Sequence, residues 1–391
     1  MRFPIPLDLE GKIYAWPYPA MMNNPAPSSR FIFLTGSTGC LGKELLRRLL
    51  ASPEVKLGLL IRRKGRHSCW DRARKILAAF ELDYLLGTRV EVFDGDITMP
   101  DFGLDQEELD FLRRRTDEFY HVAALTALNG SEEDCREINT EGSRRALQMA
   151  WDFRNHGRLN RFVYYSTAFV AGSLQTYKAL EDSLPEQPAH ANFYESSKYQ
   201  AELLVRQAIS AGLPCTIFRP SIVVGNSQTG EVSEFNVIYP FMRLFVHGVL
   251  STLPSRLEHS FNIVPIDYVI EASLAIVRIP QSIGKTFHLV TETPPSVADL
   301  FRLRESDYSF VPPVRLVDPD HFRKEGLSAD EQLVFEMLQP YLGYLNGELS
   351  FDTTNTRNAL EGTRITPPKT DQVFLKRLFQ YAVETGYLVV K

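Results

Sequence analysis

Short apolar runs alternate with amphipathic segments along most of the chain after residue 30. The runs FIFLT, KLGLLI, RVEVF, EFYHVAAL, RFVYYST and PCTIFRP are typical of buried strands, and helical patterns lie near 39–51, 69–82, 132–153 and 193–211. Strands that alternate with helices indicate right-handed βαβ units, in which helices cover both faces of a parallel sheet. The pattern therefore predicts an α/β fold with a doubly wound parallel sheet.

The alternation becomes irregular after residue 221. A stretch rich in Gly, Ser and Asn is followed by the aromatic run FNVIYPFMRLFVHGVL at 235–250, which we interpret as a core-facing helix. The segments NIVPI, DYVIEASLAIVRI and TFHLV then predict a strand, a helix and a strand that return to the sheet. Further helices are expected near 329–342 and 369–386.

Three glycines recur directly after the first predicted strand, at Gly36, Gly39 and Gly42 in TGSTGCLG, and the helix-like KELLRRLL follows them. A strand, a tight turn and a helix N-terminus in this order hold a dinucleotide pyrophosphate on backbone N–H groups. Gly36 permits the turn, Gly39 lets the backbone approach the phosphates, and Gly42 lets the helix pack close to the strand. The predicted sheet is therefore of the Rossmann type.

We expect three parts in the chain. Residues 1–30 are rich in proline and form an N-terminal extension. Residues 31–221 form the dinucleotide-binding Rossmann core, and 263–290 return to it. Residues 222–262 and 291–391 form a smaller, mostly helical C-terminal lobe that binds substrate.

Composition limits the classes of partner. The net charge is −5 and the pI is about 6.0, which gives no reason to expect binding to nucleic acid or to an anionic membrane. The four cysteines are scattered and form no C-x-x-C pair, so neither a metal site nor a disulfide framework is expected. No apolar run approaches the ~20 residues that span a bilayer, and the first residues lack the pattern of a signal peptide. We expect a soluble cytoplasmic protein, with no prediction of its oligomeric state.

The segment YESSKYQAELLV carries candidate chemistry. Tyr194 and Lys198 lie four residues apart at the start of a predicted helix, so they share one face. A tyrosine with a pKa near ~10 is a weak acid at neutral pH unless a nearby cation favours its ionised form. Lys198 can supply that charge and can also reach a ribose hydroxyl. The third member of such a site is a hydroxyl at a strand end, where Ser166 and Thr167 are both candidates.

Six blocks along the chain match a known family in order and spacing: TGSTGCLG, GDI (95–97), HVAAL (121–125), YYSTAFVAG (164–172), YESSK (194–198) and RPSIVVG (219–225). They resemble the extended short-chain dehydrogenase/reductases. The residues of these blocks are most similar to those of the thioester-reductase branch. This branch includes fatty acyl-CoA reductases and the terminal reductase domains of carboxylic acid reductases and nonribosomal peptide synthetases. The resemblance covers residues 31–300.

The resemblance implies a catalytic triad. In the family the catalytic hydroxyl lies five residues before the glycine that closes the strand motif, and counting back from Gly172 selects Thr167 over Ser166. Thr167 is then expected to donate a hydrogen bond to the substrate carbonyl, and Tyr194 to stabilise and protonate the oxyanion. Lys198 is expected to tune Tyr194 and to orient the ribose.

The residues at the end of the second predicted strand indicate which cofactor binds. A site selective for NAD carries Asp or Glu at the end of this strand, but here the strand ends in LLIRRKGR, with Arg62 and Arg63 at that place. A guanidinium suits a 2′-phosphate, so NADPH is predicted. By resemblance, Arg72 is a second phosphate-facing arginine, and Asp96 and Ile97 flank the adenine. The expected cofactor-binding residues are Gly36, Ser37, Thr38, Gly39, Cys40, Leu41, Gly42, Arg62, Arg72, Asp96, Ile97, His121, Ala123, Lys198, Pro220, Ser221 and Ile222.

The expected reaction is the NADPH-dependent reduction of an acyl thioester, presented on coenzyme A or on an acyl or peptidyl carrier protein, to an aldehyde or further to an alcohol. Such a reaction belongs to lipid or secondary metabolism. An alternative interpretation of the aromatic run at 235–250 is that it forms an acyl-binding wall. Two other functions are alternatives to thioester reduction. One is a reductase or dehydrogenase that acts on a free aldehyde, ketone, sterol-like alcohol or sugar nucleotide, and the other is a non-catalytic NADPH-binding regulator.

Overall fold

The computed structural model describes residues 29–173, 177–246, 251–308, 312–346 and 349–389. A parallel seven-stranded sheet lies at its centre, with the strand order β11-β7-β5-β4-β1-β2-β3. The described strands are β1 Arg30–Thr35, β2 Val55–Leu60, β3 Val90–Phe93, β4 Glu118–His121, β5 Arg161–Tyr165, β6 Lys178–Ala179, β7 Cys215–Pro220, β8 Ile222–Val224, β9 Thr252–Pro254, β10 Ile263–Pro265, β11 Thr286–Leu289, β12 Arg315–Val317 and β13 Ser350–Phe351. Pairs β8/β10, β9/β12 and β6/β13 form three small parallel sheets.

Helices cover both faces of the central sheet. The described α-helices are α1 Cys40–Leu50, α2 Cys69–Ala78, α3 Gln106–Arg115, α4 Glu132–Cys135, α5 Gly142–His156, α6 Phe193–Ser210, α7 Ile238–Val246, α8 Ile266–Val277, α9 Val297–Asp307, α10 Ala329–Asn346, α11 Thr354–Leu360 and α12 Gln372–Glu384. Leucines of α1 and α2 pack with α8 in one apolar cluster, whereas α3, α5 and α6 contribute to a cluster with the other side chains of the strands. This arrangement confirms the predicted Rossmann-type doubly wound sheet.

Most predicted elements are present with small differences in their bounds, but the strand predicted from NIVPI does not return to the central sheet: it is β10, which pairs with β8 in a small separate sheet. The helix expected over 132–153 is α4 and α5 joined by a π-helical turn at Arg136–Glu141, and it extends to His156. Helices α3, α9 and α11 were not predicted, because few of their side chains are apolar and buried. The proposed extension is outside the described residues up to position 28, and β1 begins at Arg30.

The later part of the chain builds a second apolar cluster, formed mainly by α7, α9, α10 and α12. The aromatic run predicted as a core-facing helix supplies α7, whose side chains Tyr239, Phe241 and Phe245 are buried in this cluster. Residues 247–250 of that run lie outside the described residues. The boundaries of the core and the lobe stay a prediction.

The register of the sheet fixes where a site can form. Thr35 at the end of β1 lies opposite Leu60 of β2 and His121 of β4, so these parallel strands end at one edge. Ligands of open α/β sheets bind outside the carboxyl ends of the strands. In the part of the chain that the structure describes, no helix is both long and apolar enough to cross a membrane.

Candidate active site

The glycine turn connects β1 to α1 at this carboxyl edge. Gly36 has a φ of +78°, and a Cβ there would lie 2.5 Å from the backbone nitrogen of Ala123. A Cβ on Gly42 would lie 2.0 Å from the carbonyl oxygen of Gly36, which itself accepts a hydrogen bond from the Gly39 N–H at 3.0 Å. Gly36 and Gly42 are therefore required by the fold itself.

Gly39 differs from its two neighbours. Among the described residues, a Cβ at Gly39 would meet only the Gly36 oxygen, at 3.6 Å, which is ordinary van der Waals distance. Its φ of −85° suits any residue. Gly39 lines a cavity at the carboxyl edge of the sheet. The protein alone gives no reason for a glycine here, whereas a ligand that lies against the backbone does.

That cavity measures about 470 Å³ and collects most of the predicted site residues. It is lined by Gly36, Thr38, Gly39, Cys40, Leu41, Gly42, Arg62, Arg72, Asp96, Ile97, Ala123, Thr167, Tyr194, Pro220, Ser221 and Ile222 from the predicted set. Three predicted residues, Ser37, His121 and Lys198, are buried beside the cavity and do not line it.

Two arginines lie together at one part of the cavity. Arg62 Nη1 contacts Asp96 Oδ2 at 3.2 Å, and Arg72 Nη1 donates a hydrogen bond to the carbonyl oxygen of Arg62. Burial and the positive charge of Arg62 lower the pKa of Arg72. Lys64, which the sequence analysis did not select, also lines this cavity. Like charges held this close favour a bound anion.

Asp96 is held in place by the turn that follows it. Its Oδ1 accepts hydrogen bonds from the backbone N–H of Thr98 at 3.0 Å and from the Thr98 hydroxyl at 2.9 Å. Burial opposes ionisation of Asp96, but the bonds from Thr98 and Arg62 outweigh it and lower the pKa of this carboxyl. The carboxylate is thus oriented at the cavity edge before any ligand binds.

Thr167 and Tyr194 meet in the same cavity from different elements. Thr167 follows β5 and accepts a hydrogen bond from the backbone N–H of Phe169 at 3.4 Å, whereas Tyr194 lies in the first turn of α6. Burial raises the pKa of Tyr194 to about 12, and a hydrogen bond with Thr167 partly offsets this rise. Tyr194 therefore carries its proton at neutral pH and can donate it.

Lys198 lies one helical turn after Tyr194 and is buried under the cavity. Its Nζ donates to the Tyr164 hydroxyl at 2.9 Å and to the Tyr165 carbonyl at 2.8 Å, and it lies 4.4 Å from the centre of the Tyr164 ring. Burial lowers the pKa of Lys198 to about 7, although the charge of Glu202 opposes the shift. The sequence analysis had not identified Tyr164 as a partner.

His121 lies beneath the cavity floor. Its Nδ1 is 2.9 Å from the Thr35 hydroxyl, and its ring stacks on that of Tyr164 with centroids 6.0 Å apart. Burial lowers the pKa of His121 to about 3, so the ring is neutral. A neutral, enclosed imidazole supports the strand ends and does not change its charge near neutral pH.

Ser166, the other candidate hydroxyl, is bound to a buried ion pair. It donates to Glu202 Oε2 at 2.6 Å, and Arg219 Nη2 lies 2.6 Å from Oε1 of the same carboxylate. Burial is the largest single effect and raises the pKa of Glu202, but Arg219, Arg206 and the Ser166 hydroxyl together outweigh it and hold the pKa at about 2. Ser166 and Thr167 both line the cavity, but the Ser166 hydroxyl is held by Glu202, whereas the Thr167 hydroxyl makes a long contact of 3.5 Å to the Pro220 carbonyl.

Asn139 is a further site residue that the sequence analysis missed. It lies in the π-helical turn, a feature that often marks functional sites. Its side chain bonds both backbone groups of Leu125, at 2.8 and 3.0 Å, and donates to the Ser197 hydroxyl at 2.9 Å. Asn139 therefore ties a cavity-lining loop to the helix that carries Tyr194.

The residues present fit a nicotinamide dinucleotide. The Ser221 hydroxyl is buried at the cavity and has no hydrogen-bond partner within the described segments, and Gly39 leaves space that the protein does not use. The backbone N–H groups at the N-terminus of α1 suit a pyrophosphate. Gly36, Gly39 and Gly42 would hold the phosphates, and Arg62 and Arg72 the distal end.

The comparisons with known proteins agree with this geometry. The sequence profile described as "Male sterility protein", a family of NAD-binding domains, matches residues 34–273. The nonribosomal peptide synthetase asaC of Aspergillus flavus is 30% identical over 369 residues, which cover 86% of this chain and 34% of that protein. The putative fatty acyl-CoA reductase CG8303 of Drosophila melanogaster is 29% identical over 63% of this chain and 51% of its own length.

A solved structure is also similar. The terminal R domain from the myxalamid PKS-NRPS biosynthetic pathway superposes with a TM-score of 0.79 at 28% sequence identity, covering 94% of this chain and 93% of that domain. The chain therefore spans about a third of the asaC synthetase and about half of CG8303, but nearly all of this one domain.

Proposed function

The chain belongs to the Male sterility protein family, in the thioester-reductase branch of the extended short-chain dehydrogenase/reductases, and we propose that it reduces an acyl thioester to an aldehyde with NADPH. The observation that carries this proposal is that the two hydroxyl side chains, Thr167 and Tyr194, line one cavity together with the glycine turn and two arginines. The names of the relatives, a peptide synthetase, a fatty acyl-CoA reductase and an R domain, support a thioester as substrate.

NADPH, when bound, supplies the hydride that is added to the carbonyl carbon of the thioester. Tyr194 donates its proton to the carbonyl oxygen as negative charge develops there, and the Thr167 hydroxyl donates a hydrogen bond to the same oxygen. The resulting hemithioacetal breaks its C–S bond and releases aldehyde and free thiol. One thioester, one hydride and one proton thus give one aldehyde and one thiol, and a second reduction would give the alcohol.

Lys198 has a supporting role in this proposal. Its Nζ is fixed by Tyr164 and Tyr165, below Tyr194 on the same helix. From there it would bind the cofactor ribose, and its charge would favour the oxyanion form of Tyr194. The preference for NADPH rests on Arg62 and Arg72, whose guanidiniums suit a 2′-phosphate. The cytoplasmic location stays a prediction from the sequence.

The test is product analysis by mass spectrometry with NADPH and matched acyl-CoA and acyl-carrier-protein substrates. We expect NADPH oxidation with release of aldehyde or alcohol, and a loss of about 10²-fold or more in kcat for Tyr194→Phe at unchanged NADPH affinity. Tyr199→Phe is the matched control on the same helix, because its hydroxyl binds only the Pro185 carbonyl among the described contacts.

Two results would contradict the proposal. Turnover of free aldehydes without any turnover of thioesters would favour the alternative reductase. Binding of NADPH with no turnover of any substrate, and no effect of Tyr194→Phe in the cell, would favour a regulator.

A further inference from the structure

Tyr344 brings the C-terminal part of the chain into the active site. It lies near the end of α10, some 150 residues after Tyr194, and both side chains line the same cavity. Its ring packs edge-on against Phe169, with centroids 4.6 Å apart and an interplanar angle of 88°. Phe169 follows Thr167 by two residues, so Tyr344 is in contact with the segment that carries the catalytic hydroxyl.

The wall around Tyr194 is apolar. Leu128, Phe169, Val237 and Tyr344 all line the cavity, and all belong to or pack against the second apolar cluster, as does the Tyr194 ring. This wall contrasts with the part of the cavity that holds Arg62, Lys64 and Arg72. The surface beside Tyr194 therefore suits the apolar part of an acyl group more than a sugar or a charged group.

The Tyr344 hydroxyl binds the start of the catalytic helix. It accepts a hydrogen bond from Asn192 Nδ2 at 3.1 Å, while Asn192 Oδ1 accepts from the Glu195 N–H at 3.0 Å and so caps α6. In the sequence, Tyr194 lies between Asn192 and Glu195. The same tyrosine thus contacts the apolar wall with its ring and the N-cap of the catalytic helix with its hydroxyl.

We propose that Tyr344 is a positioning residue that seats the acyl chain and aligns Tyr194 with the substrate carbonyl. This inference rests on the proposed reductase function. The ring sets which acyl groups fit, and apolar groups are preferred over charged ones. The hydroxyl, acting through Asn192, fixes the position of the Tyr194 hydroxyl relative to Thr167.

The two parts of the side chain can be tested separately. Tyr344→Phe keeps the ring and removes the hydroxyl, so we expect kcat to fall about three- to tenfold with KM and acyl-chain preference unchanged. Tyr344→Leu opens the wall, so we expect KM for short acyl groups to rise by about tenfold and preference to move to longer ones. Tyr341→Phe on the same helix is the control, since Tyr341 does not line the cavity.

The assay is a series of acyl-CoA thioesters of increasing length, with NADPH binding measured on each variant to show that it is folded. Unchanged chain preference in Tyr344→Leu, or an equal loss of kcat in Tyr341→Phe, would overturn the inference. Failure of the proposed function is distinguished by the unmutated protein: if it reduces no thioester, the same series is run with free aldehydes. If Tyr344→Leu changes the chain-length preference among free aldehydes, the inference is supported. If that preference stays the same, the inference is overturned.

Discussion

Lys43, in the first turns of α1, forms an ion pair with Glu234, whose side chain lines the cavity beside the glycine turn; Nζ and Oε1 are 3.0 Å apart. Glu234 also acts on the pKa of Cys40, the first residue of α1, where its charge adds to the rise caused by burial. A carboxylate in this place would repel a pyrophosphate if Lys43 did not neutralise it.

We therefore expect Lys43→Ala to weaken NADPH binding, by about five- to tenfold, because the free carboxylate of Glu234 then faces the phosphates. Adding Glu234→Gln to that variant should restore most of the affinity. Fluorescence titration with NADPH on the two single variants and the double variant measures the effect. Equal losses in all three would show that neutralisation is not the role of Lys43.

Gly39 and Gly42 should respond differently to the same substitution. Gly42→Ala places a Cβ 2.0 Å from a backbone oxygen, so we expect loss of several kcal/mol of stability or failure to fold. Gly39→Ala meets nothing closer than 3.6 Å, so its melting temperature should stay near that of the unmutated protein while NADPH affinity falls by about tenfold or more. Thermal melts with and without NADPH check both, and a Gly39→Ala variant with full NADPH affinity would show that no phosphate lies there.

The arginines should determine cofactor preference. We expect Arg62→Gln and Arg72→Gln each to raise KM for NADPH by about 10- to 100-fold and to leave KM for NADH nearly unchanged, because each removes a charge-assisted contact to a 2′-phosphate. Arg63→Gln is the control: Arg63 is exposed and paired with Asp94, and it does not line the cavity. Equal increases in KM for NADPH and for NADH would argue that these arginines do not bind the 2′-phosphate.

Lys198 should make stability depend on pH in a defined direction. Burial lowers its pKa to about 7 in the folded protein, below the value near 10.5 of an exposed lysine. Between these values the unfolded chain binds this proton and the folded chain does not, so unfolding free energy rises with pH relative to a variant without the lysine.

The measurement is urea unfolding of the unmutated protein and of Lys198→Met, without cofactor, from pH 7 to pH 10. We expect their difference to grow with pH in favour of the unmutated protein, by on the order of a few kcal/mol. Lys178→Met removes an exposed lysine and should show no such trend. A flat difference for Lys198→Met would mean that the ammonium keeps its ordinary pKa when buried.

Much of the fold followed from the sequence because buried parallel strands are continuous apolar runs. Helices α3 and α9 were not predicted because charged side chains outnumber the buried apolar ones in each, although each starts with a capping box, Asp105 with Glu108 and Ser296 with Asp299. Those boxes were the available signal.

The residues of the site likewise fall into those that the sequence predicted and those that it did not. The glycine turn and Tyr194 lie in local motifs, so spacing was enough to propose them, whereas Thr167 was selected over Ser166 only through the family resemblance. Tyr344 comes from a distant helix with no motif, and only packing brings it to the cavity. The spacing of Lys198 predicted the shared helix face with Tyr194, but not that its Nζ is held by Tyr164.

The strand order has a consequence for synthesis of the chain. β7 pairs on one side with β5 and on the other with β11, which follows it by roughly 65 residues. At about 5–20 residues per second on the ribosome, β7 presents an open edge for roughly 3–13 s before its partner is made. During that interval the nascent sheet can pair with other chains, so the final yield of protein depends on how well this edge is shielded while translation continues.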